Sequence, residues 1–92
     1  MIIRIVGEGQ YEVPESFYDE LNVIDNKIVD LVSEGNEEGY KSELAKLIES
    51  IKSCGSQIDD AEIVESDLIV PPEDLTFEEA KEVFKGEGIF ED

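Results

Sequence analysis

Two consecutive runs of apolar residues limit what this chain can fold into more than any other feature. From about Glu15 to Glu34 they fall at Phe17, Leu21, Ile24, Ile28, Leu31 and Val32; after Asn36 they fall at Tyr40, Leu44, Leu47, Ile48 and Ile51. Steps of three and four follow the helical period, so each run is one face of an amphipathic helix. Twenty residues of helix span roughly 30 Å. Gly35 suits a helix C-terminus and Asn36 an N-cap, while Glu37 and Glu38 then sit where the macrodipole favours acids. A connection of one or two residues makes the pair an antiparallel helical hairpin. The second helix is expected to end at Cys54-Gly55.

A hairpin of helices needs something to cover it, and the first thirteen residues supply a sheet. Ile2 to Val6 is short and β-branched, and Gln10 to Val13 alternates polar with apolar. Gly7-Glu8-Gly9 between them reads as a three-residue turn, with glycines free to take positive φ. That placement pairs Val6 with Gln10, Ile5 with Tyr11, Arg4 with Glu12 and Ile3 with Val13. Ile3, Ile5, Tyr11 and Val13 then share the face that meets the helices, and the only arginine lies across from a glutamate.

Ser56 to Leu75 keeps neither period. It is acidic at Asp59, Asp60, Glu62, Glu65 and Asp67, then apolar at Leu68-Ile69-Val70, and it stops at Pro71-Pro72. It reads as a loop with a short extended segment, which is either a third strand or a segment docked on the helices. The apolar triplet before two prolines suits a buried anchor or a presented epitope, and the anchor is favoured. Thr76-Phe77-Glu78-Glu79 matches a capping box, with Leu75 placed to staple onto Ala80. A short helix is expected to about Lys85, with Phe77, Ala80, Val83 and Phe84 inward, ended by Gly86; Ile89 and Phe90 pack back as a tail. The fold class is therefore α+β, one domain over 1–92: an N-terminal β-hairpin on an antiparallel helical hairpin, with a short C-terminal helix.

Charge narrows the function. Twenty-five acids against seven bases leave −18, while 40% hydrophobic residues in clear patterns argue against disorder. Such a chain is repelled by nucleic acid and by anionic membranes. The bases Arg4, Lys27, Lys41, Lys46, Lys52, Lys81 and Lys85 form no cluster, so direct membrane binding is not expected. No run of 18 apolar residues spans a bilayer, and no basic region followed by a long apolar one opens the chain; a cytoplasmic location is expected. Histidine is absent, so the commonest general base and the commonest transition-metal ligand are missing. Cys54, the only cysteine, reads as a small buried hydrophobe rather than a nucleophile. Gly7-Glu8-Gly9 lacks the third glycine and the Lys-Ser/Thr pair of phosphate loops and carries an acid at its tip. The acidic run 59–67 lacks the ordered spacing and central glycine of a calcium loop. No catalytic residue, cofactor or metal site is assigned. Acidic outer helix faces suit docking on a basic partner, and Asp67, Leu68, Pro71 and Pro72 are the candidate partner-binding residues. Leu21 and Leu47 are expected in the core and Glu43 on the surface. The alternatives are a small metal-dependent or acid/base enzyme using the 59–67 carboxylates, and an acidic nucleic-acid mimic. The oligomeric state is not legible.

The string Ile3-Arg4-Ile5-Val6-Gly7-Glu8-Gly9-Gln10-Tyr11-Glu12 is similar to the opening of the PspAA family, small proteins associated with phage-shock protein A. The likeness continues through Leu21 and the Asp25 region, Glu34-Gly35-Asn36-Glu37-Glu38, and Ser66-Asp67-Leu68-Ile69-Val70-Pro71-Pro72, and ends in the acidic helix start at Thr76 to Glu79. The first and the S-D-L-I-V-P-P strings together are fairly specific. The resemblance implies a non-enzymatic, cytoplasmic companion of a membrane-remodelling, coiled-coil PspA/Snf7-type protein in an envelope-stress response, reaching the membrane through that partner.

Overall fold

The computed structural model describes residues 1–59, 64–84 and 89. Two strands open the chain, β1 (Ile2–Ile5) and β2 (Gly9–Glu12), and pair antiparallel. Two long helices follow, α1 (Tyr18–Glu34), entered through a 3-10 turn at Glu15–Phe17, and α2 (Glu37–Cys54). Next come two short strands, β3 (Ser56–Gln57) and β4 (Leu68–Val70), and a last helix, α3 (Phe77–Val83). The four strands form one sheet in the order β3-β2-β1-β4. β3 runs antiparallel to β2, and β4 runs parallel to β1. This is the expected α+β arrangement, with a larger sheet than a hairpin. The 68–70 segment is a strand at the sheet's edge, settling one alternative left open above.

The turn between the helices follows from two residues. Gly35 takes a left-handed φ of 77°, which costs a residue without Cβ nothing. Its N–H donates to the Val32 carbonyl at 3.1 Å and the Asn36 N–H to the Leu31 carbonyl at 2.9 Å, closing the end of α1 as a Schellman motif. The Asn36 side chain then accepts from the Gly39 N–H at 3.0 Å, opening α2. One asparagine thus ends one helix and starts the next, and the antiparallel pairing follows.

The expected α2 stripe is buried residue for residue: Tyr40, Leu44, Leu47, Ile48 and Ile51. In α1 the fully buried line is Leu21, Asp25, Ile28 and Val32, with Phe17, Ile24 and Leu31 half-buried beside it. A carboxylate therefore occupies the centre of an apolar stripe. Asp25 Oδ1 accepts from the Ile89 N–H at 3.1 Å, so the buried acid holds Ile89, which packs on the core as expected. Phe90 and Gly86 lie outside the described residues.

The sheet's buried face carries Ile3, Ile5, Tyr11 and Val13, as the alternation required, joined by Val70. The register differs from the expected one by two. Ile2 lies opposite Glu12, Ile3 opposite Tyr11, Arg4 opposite Gln10 and Ile5 opposite Gly9. The Glu8 N–H donates to the Ile5 carbonyl at 2.9 Å, and Gly7, with φ 86°, takes the position of that turn that needs positive φ. The connecting residues are thus Val6-Gly7-Glu8, one step earlier than Gly7-Glu8-Gly9. A shift of two keeps every side chain on its face but moves Arg4 away from Glu12 and onto Gln10.

Two further expectations fail. Glu43 is no surface residue: its side chain is 14% exposed, it pairs with Lys27 at 3.3 Å, and its Oε2 has no hydrogen-bond partner among the described residues. Val83 points outward, 39% exposed, whereas Ala80 and Phe84 enter the core. The α3 cap is as expected, with Thr76 Oγ1 accepting from the Glu79 N–H at 3.2 Å and the Glu79 carboxylate reaching back. Tyr40 docks α3: its hydroxyl donates to the Leu75 carbonyl at 2.9 Å, and its ring lies 5.7 Å from Phe77 and 6.2 Å from Phe84.

Candidate functional site

The candidate residues Asp67, Leu68, Pro71 and Pro72 lie on and around β4, and the fold accounts for two of them. The Asp67 carboxylate accepts from the Ile2 N–H at 2.7 Å, and the Asp67 N–H donates to the Ile2 carbonyl at 2.7 Å. This double contact starts the parallel ladder, so Asp67 sets the register of β4. Val70 is fully buried and its carbonyl accepts from the Val6 N–H at 3.0 Å. Pro71 is buried beside it. The favoured anchor role therefore holds for Val70 and Pro71. Ile69, between the anchors, is 59% exposed.

Leu68 and Pro72 line grooves at opposite ends of β4. At its start a groove of about 440 Å3 is bounded by Met1, Glu15, Tyr18, Asp67 and Leu68. At its end one of about 420 Å3 is bounded by Val6, Gly7, Glu8, Pro72, Glu73 and Asp74. The four residues thus do not converge on one pocket.

The rest of the S-D-L-I-V-P-P string is tied to the first string by the path of the chain. β3 and β4 are opposite edges of the sheet, about 14 Å apart at the usual strand spacing, so the connection must cross it. Gln10, on the face away from the helices, donates from Nε2 to the Val64 carbonyl at 3.0 Å and to Ser66 Oγ at 2.7 Å. Val64 and Ser66 are therefore pinned on the outer face by the glutamine of G-E-G-Q-Y-E. The two strings that carry the resemblance form one structural joint.

The remaining candidate chemistry is dispersed. Of the acidic run, Asp59, Glu65 and Asp67 are described, while Asp60 and Glu62 lie outside the described residues. Among the described residues no group of three or more acidic or thiol side chains is arranged to hold a metal ion. Cys54 is half-buried at the end of α2, and burial pushes its thiol above the ordinary range. A protonated thiol is a poor nucleophile at neutral pH. Lys52 pairs with Glu8, tying α2 to the β1–β2 turn, and that hydrogen bond raises the lysine's pKa. No described helix is long and apolar enough to cross a membrane.

Sequence reasoning missed Asp25 and the Gln10–Ser66 joint. Asp25 was recoverable, since it completes the four-three-four spacing Leu21-Asp25-Ile28-Val32. Nothing in the sequence pointed to Gln10 and Ser66 meeting across more than fifty residues.

No curated protein and no solved structure matches the chain. The family model described as PspA-Associated protein, PspAA, matches residues 1–92, the whole chain, in agreement with the two strings that the sheet brings together. The protein belongs to the PspAA family.

Proposed function

We propose that this protein is a non-enzymatic adaptor, or regulatory partner, of a PspA-like coiled-coil protein in an envelope-stress response. The family match over the whole chain carries this reading, because the family is described by its association with PspA. Physical chemistry supports it in two ways. A net charge of −18 favours a partner with a basic surface and disfavours nucleic acid and anionic lipid. The one thiol is held in its less reactive form by burial. On this reading the protein works in the cytoplasm and reaches the membrane only through its partner.

Co-purification with the PspA homologue of the same organism tests the proposal. Retention of that homologue, with little retention of an unrelated coiled coil of similar charge, is the expected result. Equal retention of both defeats it.

A further inference from the structure

Of the segment between β3 and β4, Val64, Ser66 and Asp67 are fixed against the sheet. Gln10, opposite Arg4, holds Val64 and Ser66, and Asp67 meets Ile2 where β1 begins. Further along β1 and β4, apolar side chains of the outer face are exposed. Strand alternation turns Arg4 and Val6 outward, opposite in sense to the buried Ile3 and Ile5, and the parallel register sets Ile69 beside Arg4. Val6 is 44% exposed and Ile69 59%. Past Val6 lies the groove floored by Val6 and Pro72. The Leu75 N–H donates to the Pro72 carbonyl at 3.1 Å, closing the turn that carries Glu73 and Asp74 on the groove's rim.

Charge in this region is unspent. Among the described residues Arg4, Glu73 and Asp74 take part in no ion pair, whereas Glu8 on the same rim is engaged by Lys52. The surface therefore carries Arg4 beside Ile69, then Val6 further along β1, and beyond it two carboxylates that form no ion pair among the described residues. A single exposed Ile or Val on a sheet needs no explanation. Two set diagonally on adjacent strands, with a cation beside one and carboxylates beyond the other, offer both terms that recognition uses: apolar contact and charge.

Resting on the adaptor reading above, we propose that the exposed Val6 and Ile69, with the groove beside them, form its docking surface. The occupant is an amphipathic segment of the partner that places apolar side chains on Val6 and Ile69 and Lys or Arg against Glu73 and Asp74. A second copy of this chain fits poorly, since it brings the same −18 and offers the same rim of acids.

The test uses the full chain and, as probe, the purified PspA homologue of the same organism, with affinity measured by calorimetry. Three variants are compared: Glu73→Lys with Asp74→Lys, Ile69→Ser alone, and, as control, Glu34→Lys with Glu38→Lys. The control makes the same change in net charge at exposed positions at the turn between the helices. The first two variants are expected to weaken binding at least about tenfold, equivalent to about 1.4 kcal/mol, and the control much less. Wild-type affinity should fall as salt rises, and more steeply than that of the Glu73/Asp74 variant. If Ile69→Ser unfolds the edge, the paired change in the turn remains the test. Equal weakening by the control and the Glu73/Asp74 variant overturns this surface and leaves the adaptor reading standing. No binding by the wild-type chain overturns the adaptor reading and this surface with it.

Discussion

The joint between Gln10 and the crossing segment is open to direct measurement. Gln10 donates from one nitrogen to two acceptors, the Val64 carbonyl at 3.0 Å and Ser66 Oγ at 2.7 Å, in a partly buried setting. A neutral hydrogen bond of this kind contributes about 0.5–1.5 kcal/mol net. Gln10→Ala removes both and should cost about 1–3 kcal/mol. Ser66→Ala removes one acceptor and should cost about 0.5–1.5 kcal/mol. The double variant should lose less than the sum of the two, with a coupling of about 0.5–1 kcal/mol, since the Gln10–Ser66 contact can be lost only once. In a domain of this size each kcal/mol moves the melting temperature by about 4–8 °C, so urea titration and thermal melts both resolve the cycle. Strict additivity would refute the reasoning: the glutamine and serine would not be in contact, and the crossing would not be pinned over the outer face.

Four other outcomes are expected. Leu21→Ala and Leu47→Ala, each at a fully buried position, should each lose about 2–5 kcal/mol, against little for the exposed Glu38→Ala; comparable losses from all three would contradict the helical core. Arg4→Glu with Glu12→Arg should show less than about 0.5 kcal/mol of coupling, because Arg4 faces Gln10 rather than Glu12; a coupling near 1 kcal/mol would restore the other register. Tyr40→Phe should cost about 0.5–1.5 kcal/mol at neutral pH through its lost bond to Leu75. Burial first, and the Glu79 carboxylate second, push the Tyr40 pKa above the ordinary 10.0. Its contribution is therefore intact below that pH and is lost as pH rises beyond it, where the unfolded chain ionises first; the urea midpoint of the Phe variant should decline less steeply there than that of wild type, and parallel declines would count against this. Mixed with anionic vesicles, the protein alone should stay in the supernatant, and adding the PspA homologue should carry it into the pellet; sedimentation of the lone protein would reinstate direct lipid binding.

What was legible in the sequence was what neighbouring residues decide among themselves. The stripes of α1 and α2, the Gly35-Asn36 junction and the Thr76–Glu79 box all lie within a few residues of their partners, and each is found where the sequence puts it. The inward face of the hairpin was legible too, because strand alternation survives any register shift of two. The register was not, since two glycines around Glu8 allow a three-residue turn to be placed in more than one way. β3 is two residues long and carries no pattern. The parallel partner of β4 lies more than sixty residues away, beyond any local signal. The same distance explains the candidate site. Asp67, Leu68, Pro71 and Pro72 stood out as unusual, but two of the four serve the sheet, and Val6 comes to share a groove with Pro72, Glu73 and Asp74 only once β4 is in place.

The order of the sheet also bears on how the chain is made. β1 meets β2 within a dozen residues, but its other edge waits for β4, which closes the sheet only after residue 70 has been synthesised. Until then a growing chain carries both long helices and a strand whose outer backbone groups are unpaired, the exposed edge that other chains can add to. Contacts between residues so far apart in sequence slow folding, and transiently open edges invite misassembly. The charge already synthesised by the end of α2, twelve acids against five bases, would repel other nascent chains while the edge is open. A ribosome stalled between the end of α2 and β4 would therefore hold a species with most of its core residues present and its sheet unfinished, and chains released at that stage should associate more readily in high salt, where repulsion is screened, than in low.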